Sequence, residues 1–315
     1  MKKLSLWLLA CMLCLCGTAI ADGDPTEAAI TPQPLSEDWI RPGEAISASG
    51  YEEAYAAITE ALKEAPDDIA LLYQQGLALM WLARYEEAVA SFTQVLRLDG
   101  ETADYWMQRG HAHTWLGEYE AAAADYDRAI LLEPENAALR YDKALAFMTE
   151  GRMQEALDTL DTAIEQEPEA AKYHLARGVA LSWMNREADA EAALSRAIAL
   201  APKDAAAYKE RGDVRTKLNR FEEAIADYAQ AIALAPKEAE YHAVQGAAYI
   251  SLGDYEAAVD ALDQAISLDG EDAEHYYWRA VAKAWLDDKD GAIQDVARAK
   301  ALNPENASLY DQLIQ

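Results

Sequence analysis

His111 and His113 stand two residues apart in the stretch HAHTWLG, close enough to suggest paired imidazole ligands for a metal ion. On a helix, residues two apart point to different faces, so these rings cannot grip one ion by themselves. The run Asp287-Asp288-Lys289-Asp290-Gly291 resembles part of a calcium loop, in which acidic oxygens surround the ion. The loop's first ligand would then be Leu286 and its twelfth Ala297, which offer no side-chain oxygen, so the run reads as a turn joining two helices. His275 has no companion in the sequence. The three cysteines, Cys11, Cys14 and Cys16, all fall in an apolar N-terminal run, and no G-x-S-x-G, P-loop or H-E-x-x-H motif is present. These residues predict no catalytic site, no metal site and no cofactor. The chemistry left to consider is non-covalent binding.

The elements that must position any binding residues are set by a period. Pro66, Gly100, Pro134, Pro168, Pro202, Pro236, Gly270 and Pro304 follow one another at intervals of 34 residues with no insertion, which leaves no loop long enough to hide a catalytic domain. Just beyond these breakers, Asp68, Thr102, Asn136, Asp204, Asp272 and Asn306 carry oxygens able to accept from the free N–H groups of a following helix, and read as N-caps. Helix formers dominate, and no Val/Ile/Thr alternation bounded by Asn-Gly or Asp-Gly turns marks a strand. Small residues recur where two helices must approach: Gly76, Gly110, Ala144, Gly178, Gly212, Gly246 and Ala280 in the first helix, and Ala88, Ala122, Ala156, Ala190, Ala224, Ala258 and Ala292 in the second. Glycine inside a helix costs about 1 kcal/mol relative to alanine, so close packing is the physical reason to keep it there. The two rows are expected to meet, Gly110 against Ala122.

Between Ala103 and Asn136, the residues Trp106, Gly110, Leu116, Gly117, Tyr119, Ala122, Tyr126, Ala129 and Pro134 match, in type and spacing, the tetratricopeptide-repeat motif, a helix-turn-helix unit of that period. The whole chain resembles a tetratricopeptide-repeat protein. That resemblance implies an all-α fold, a right-handed α-solenoid of tandem 34-residue units whose first helices line a concave face. Residues 69–306 hold seven units. Residues 38–68 read as a degenerate capping repeat, in which Tyr51 to Lys63 makes a second helix while Arg41-Pro42-Gly43 interrupts the first. Residues 307–315 start one more first helix, with Tyr310 in the place of Trp106, and serve as the other cap. His174 and His242 also take that place, where an aromatic packing role is expected.

One departure from the family pattern concerns charge. Where the motif usually has Leu before the small residue, this chain has Gln75, Arg109, Lys143, Arg177, Arg211, Gln245 and Arg279, and sixteen residues after three of the arginines stand Asp125, Asp227 and Asp295. They read as structural ion pairs across each helix pair. On the first helix, Trp106, Gly110 and His113 share an inward face, while Asp104, Met107, His111 and Trp115, spaced 3, 4 and 4, share another. The same face elsewhere includes Tyr73, Met80, Trp81, Tyr141, Met148, Trp183, Lys209, Asp213, Tyr277 and Trp285. The candidate binding residues are Tyr73, Trp81, Met107, His111, Trp115, Tyr141, Trp183, Tyr277 and Trp285. The four tryptophans hold one place in four units, and either form an aromatic-lined groove or pack between adjacent first helices.

Residues 1–21 read as a secretory signal: Lys2 and Lys3, an apolar run from Leu4, and Ala19-Ile20-Ala21 as the cleavage site. The apolar run of 18 residues is at the lower limit for a membrane span, which leaves an uncleaved anchor as an alternative. Leu8-Leu9-Ala10-Cys11 faintly resembles a lipoprotein processing site, a further alternative. Cleavage near Ala21 gives a periplasmic or secreted protein without cysteine and without a membrane span. Residues 22–37, acidic and carrying Pro25, Pro32 and Pro34, read as a flexible linker. A net charge of -29 argues against nucleic acid, because phosphate binding needs a basic footprint. It suits a basic partner or cations, or a well-solvated surface. The chain is expected to be a non-enzymatic exported scaffold binding a protein or peptide, with polysaccharide handling as the alternative.

Overall fold

In the computed structural model, residues 48–307 and 310 are described. The signal segment, the linker, Arg41-Pro42-Gly43 and most of 307–315 lie outside them. The described residues form fifteen α-helices and a terminal 3-10 turn, Pro304–Asn306, with no strand among them. After α1 (Ala48–Glu64) come seven pairs: α2 (Ile69–Trp81) with α3 (Tyr85–Leu98), α4 (Ala103–Leu116) with α5 (Tyr119–Leu132), α6 (Ala137–Glu150) with α7 (Met153–Gln166), α8 (Ala171–Trp183) with α9 (Glu187–Leu200), α10 (Ala205–Lys217) with α11 (Phe221–Leu234), α12 (Ala239–Leu252) with α13 (Tyr255–Leu268), and α14 (Ala273–Trp285) with α15 (Lys289–Leu302). Every first helix and every second helix begins 34 residues after its predecessor. The fold is an all-α helical repeat of the solenoid class. The helices group into two compact units, α1–α7 and α8–α15.

The start of each pair follows from its breaker and cap. Asp68 accepts from Leu71 N–H, Asn136 from Ala138, Asp204 from Ala206, and Asp272 from Glu274. Thr102 departs from the expectation: it occupies the cap position of α4, but its hydroxyl donates to Asp99 at 2.7 Å and makes no cap bond. Asp99 also accepts from Glu101 N–H, so an acidic side chain before the helix has drawn the hydroxyl away. Asn306 closes the terminal 3-10 turn, its N–H donating to the Asn303 carbonyl.

The turn inside each pair is one repeated device. Ala83, Gly117, Gly151, Asn185, Asn219, Gly253 and Asp287 all take the left-handed conformation there, with φ between 54° and 89°. Asp287 thus belongs to a helix-joining turn, and the next residue, Asp288, caps α15 by accepting from Gly291 N–H. Glycine and asparagine tolerate this backbone, whereas an alanine Cβ crowds its own carbonyl. Replacing Ala83 by Gly is therefore expected to stabilise the α2–α3 pair by about 0.5–1 kcal/mol. A lowered denaturation midpoint would contradict this.

Inside the pairs the rows of small residues meet large side chains. A Cβ placed on Gly76 would run into the Phe92 ring, one on Gly212 would lie 2.5 Å from Tyr228, and one on Gly110 3.1 Å from Tyr126. At closest range Gly110 meets the Tyr126 ring: the glycine makes room for an aromatic sixteen residues on. Ala122 is buried with Tyr126 and with Ala146 of α6, so this row joins one pair to the next. Gly178 has both neighbours, the Leu194 side chain at 2.5 Å and the Ala190 carbonyl at 3.3 Å.

Candidate functional site

Three of the four tryptophans that end or nearly end a first helix lie over an aromatic ring of the preceding helix. Trp81 stacks on Tyr51, Trp115 on Tyr85 and Trp285 on Tyr255, with centroids 5.4–5.6 Å apart and planes within 12° of parallel. One face of each of these three rings is thereby occupied, and the exposure that remains differs: Trp81 and Trp115 are partly buried and Trp285 is 67% exposed; Trp183, with Met153 in the place of the tyrosine, is 37% exposed.

The other candidates are tied into contacts between successive first helices. The Tyr73 hydroxyl of α2 donates to Asp104 of α4, while its ring leans on Phe92 and Tyr105. Burial, then that carboxylate, raise the phenol's pKa. Met107 packs against Ala122, Tyr126 and Ala146. His111 Nε2 lies 3.3 Å from Asp142 of α6, and its ring is edge-on to Tyr126 at 5.7 Å. His113 turns elsewhere, its Nδ1 2.6 Å from Glu118, so the two imidazoles do serve different faces. Tyr277 lies 5.3 Å from both Trp278 and Tyr310. Tyr141 is only 1% exposed and Met148 2%, so these two offer no surface to a partner. Lys209, also expected on this face, is buried among Glu210, Asp213 and Glu240 of α12, with Nζ–O distances of 3.5, 3.1 and 2.8 Å.

The arginine row does what its spacing predicts. Arg109 donates to Asp125 through Nε at 2.8 Å and Nη2 at 2.6 Å, Arg211 to Asp227 at 2.9 and 2.7 Å, and Arg279 to Asp295 in the same forked manner. Each also reaches back sixteen residues with Nη1, to Thr93, Ser195 and Asp263 respectively. Lys143 reaches back alone, to Asp127, and Gln75 bonds in both directions, to Thr59 and Ser91. This position thus forms a polar ladder across the helix pairs, which sequence reasoning saw only in its forward half. The backward half stands at the same spacing, but its partners change type from repeat to repeat, hydroxyls at Thr59, Thr93 and Ser195 and carboxylates at Asp127 and Asp263, so no single residue pattern marks it.

Helix pairs at a fixed 34-residue step, a glycine or alanine at the same place in each first helix and a left-handed residue in each turn define the geometry. A family model described as "Tetratricopeptide repeat" matches residues 73–130, 109–171, 141–181 and 184–239, together more than half of the chain. The chain belongs to the tetratricopeptide-repeat family. A second model, "TPR repeat", matches 246–284. No curated protein matches it in sequence.

Among solved structures, this tetratricopeptide-repeat chain is similar to a repeat protein from Parabacteroides merdae ATCC 43184, with a TM-score of 0.59 at 15% identity over 83% of this chain and 98% of that one. It is similar to a chain of the APC/C hetero-tetramer Cut9-Hcn1, with a TM-score of 0.58 at 21% identity, and covers 84% of its own length but only about half, 52%, of that chain. PilW, a type IV pilus biogenesis factor, gives a TM-score of 0.57 at 19% identity over 63% of this chain and 92% of that one. At these identities the likeness concerns the fold alone. Among the described residues, no helix is long and apolar enough to cross a membrane, and no three His, Cys, Asp or Glu side chains are placed to hold a metal ion.

Proposed function

We propose that this tetratricopeptide-repeat protein is a non-enzymatic, exported scaffold that binds a protein or peptide partner on the free face of its first helices. The observation that carries this reading is the half-open tryptophan. Each stacked ring is held rigid by its tyrosine and keeps apolar surface available, the combination expected of an anchor that loses little entropy on binding. Trp81 and Trp115 present such rings in successive repeats, which suits an extended peptide or a partner helix. A similar fold occurs in a chain of the APC/C hetero-tetramer Cut9-Hcn1, where it is part of a protein assembly. Export rests on Lys2, Lys3, the apolar run and Ala19-Ile20-Ala21, and the acidic surface suits a basic partner.

The test uses the partner recovered by mild crosslinking in an envelope extract. Trp115→Ala should weaken its binding by about 2 kcal/mol or more, roughly thirty-fold in Kd, at any salt concentration and with helix content retained. Glu86→Lys with Glu87→Lys, which open α3, should alter mainly the on-rate and its salt dependence. If Trp115→Ala unfolds its pair without a selective binding defect, the ring belongs to the core and the reading fails. Polysaccharide binding is the second reading, favoured by Trp285: parallel to Tyr255 within 4° and 67% exposed, it is a flat platform of the kind a sugar ring covers. Glycan-array binding that Trp285→Ala abolishes would select it.

A further inference from the structure

The first helices are joined to one another by a rung that the helix-pair pattern does not require. Three rungs connect residues 31 apart: Tyr73 to Asp104, His111 to Asp142, and Lys209 to Glu240. Tyrosine and lysine keep their protons throughout the neutral range, and imidazole does not. At the place of His111 the neighbouring repeats carry Leu77 and Leu145, so this rung is a local substitution into an apolar position.

We propose that His111 is a pH-sensitive clamp between successive repeats: protonated, it ties α4 to α6 through Asp142, and deprotonated, it releases them. The surroundings make the charge matter. The side chains of His111 and Asp142 are 29% and 13% exposed, so a neutral imidazole would leave the Asp142 carboxylate facing the packed helices without its counter-charge. Asp104, seven residues earlier on α4, faces the same ring and is itself held by Tyr73 of α2. From α5 the Tyr126 ring meets the imidazole edge-on, and from α3 Tyr85 lies one turn farther along, under Trp115. The nearby cations are committed elsewhere, Arg109 to Asp125 and Lys143 to Asp127. Burial alone would lower the pKa of His111. The Asp142 bond and the charges of Asp142 and Asp104 outweigh it, and the net direction is upward from 6.5. The stability this supplies is fully present below 6.5, the unfolded value, and is lost as pH rises through the higher folded value.

The test is a histidine-ring NMR titration of the full chain alongside thermal unfolding at about pH 5 and about pH 8, the span over which histidine titrates. His111 should titrate above 6.5, and Asp142→Asn should bring it down. Wild-type protein should lose more thermal stability between the two pH values than His111→Gln. The comparison is between variants because burial also raises the Glu210 carboxyl beside Lys209, Asp213 and Glu240, which adds a pH dependence of the same sign in the other unit. His111 titrating at or below 6.5, or equal pH dependence in wild type and His111→Gln, overturns the clamp. Should His111→Gln not fold, the wild-type and Asp142→Asn titrations decide alone.

Discussion

Ala122→Glu is expected to unfold the α4–α5 pair while leaving α12–α15 protected. Ala122 is fully buried, enclosed with Tyr126, Met107 and Ala146. Glutamate there must either push the helices apart or hold a carboxylate away from water, and the two effects together exceed about 4 kcal/mol, at the diagnostic end of single substitutions. In a repeat array each pair is stabilised by its neighbours, so the damage should fade with distance along the chain. Hydrogen exchange reads this directly: amides of α4 to α6 should exchange fast, and those of α12–α15 should keep their wild-type protection. Uniform loss over the whole chain, or none near Ala122, would contradict the nearest-neighbour account.

Removing Asp227 should be nearly as damaging, through charge rather than volume. Its side chain is 4% exposed and accepts from Arg211 at 2.9 and 2.7 Å and from Arg215 at 2.8 Å. Asp227→Ala leaves Arg211, itself 16% exposed, with the Ser195 hydroxyl as its remaining side-chain partner among these bonds. Breaking one side of a buried pair typically costs about 3–5 kcal/mol, most of it the uncompensated charge. The double variant Arg211→Leu with Asp227→Ala should recover much of that loss, because the Arg211 charge is no longer stranded and Arg215 keeps Glu191 at 2.9 Å. Denaturant melts of the four proteins in the cycle measure the coupling. A coupling near zero would show the pair to be solvated and the structural reading of the ladder to be wrong.

The parts of this fold legible in the sequence are those fixed within one repeat. Pro and Gly at a constant interval give the helix boundaries, because each breaker stops a second helix, and the sixteen-residue step from Arg109 to Asp125 gives an ion pair, because it crosses one turn between antiparallel helices. What lies between repeats was less legible. Tyr73 and Tyr141 hold the same place, yet one is partly buried and bonded to Asp104 while the other is almost wholly buried. Periodicity assigns a side chain to a face and says nothing of how deeply the neighbouring helix covers it. The stacks of Trp81, Trp115 and Trp285 on rings thirty residues earlier, and the rung from His111 to Asp142, depend on how one pair leans on the next, which no single helix wheel contains. Thr102 shows the local limit of the same reasoning: its type suits a cap, and Asp99 outcompetes the helix for its hydroxyl.

The central claim, that a partner sits on the free face of the first helices, is tested most directly by a photo-crosslinking scan of the full chain in its host. A photoreactive side chain at position 115 or 183 should yield adducts with one defined protein, and the same group at position 86 or 256, at the start of a second helix, should yield few or none. Adducts of equal yield from both sets, or adducts confined to the second helices, would contradict it.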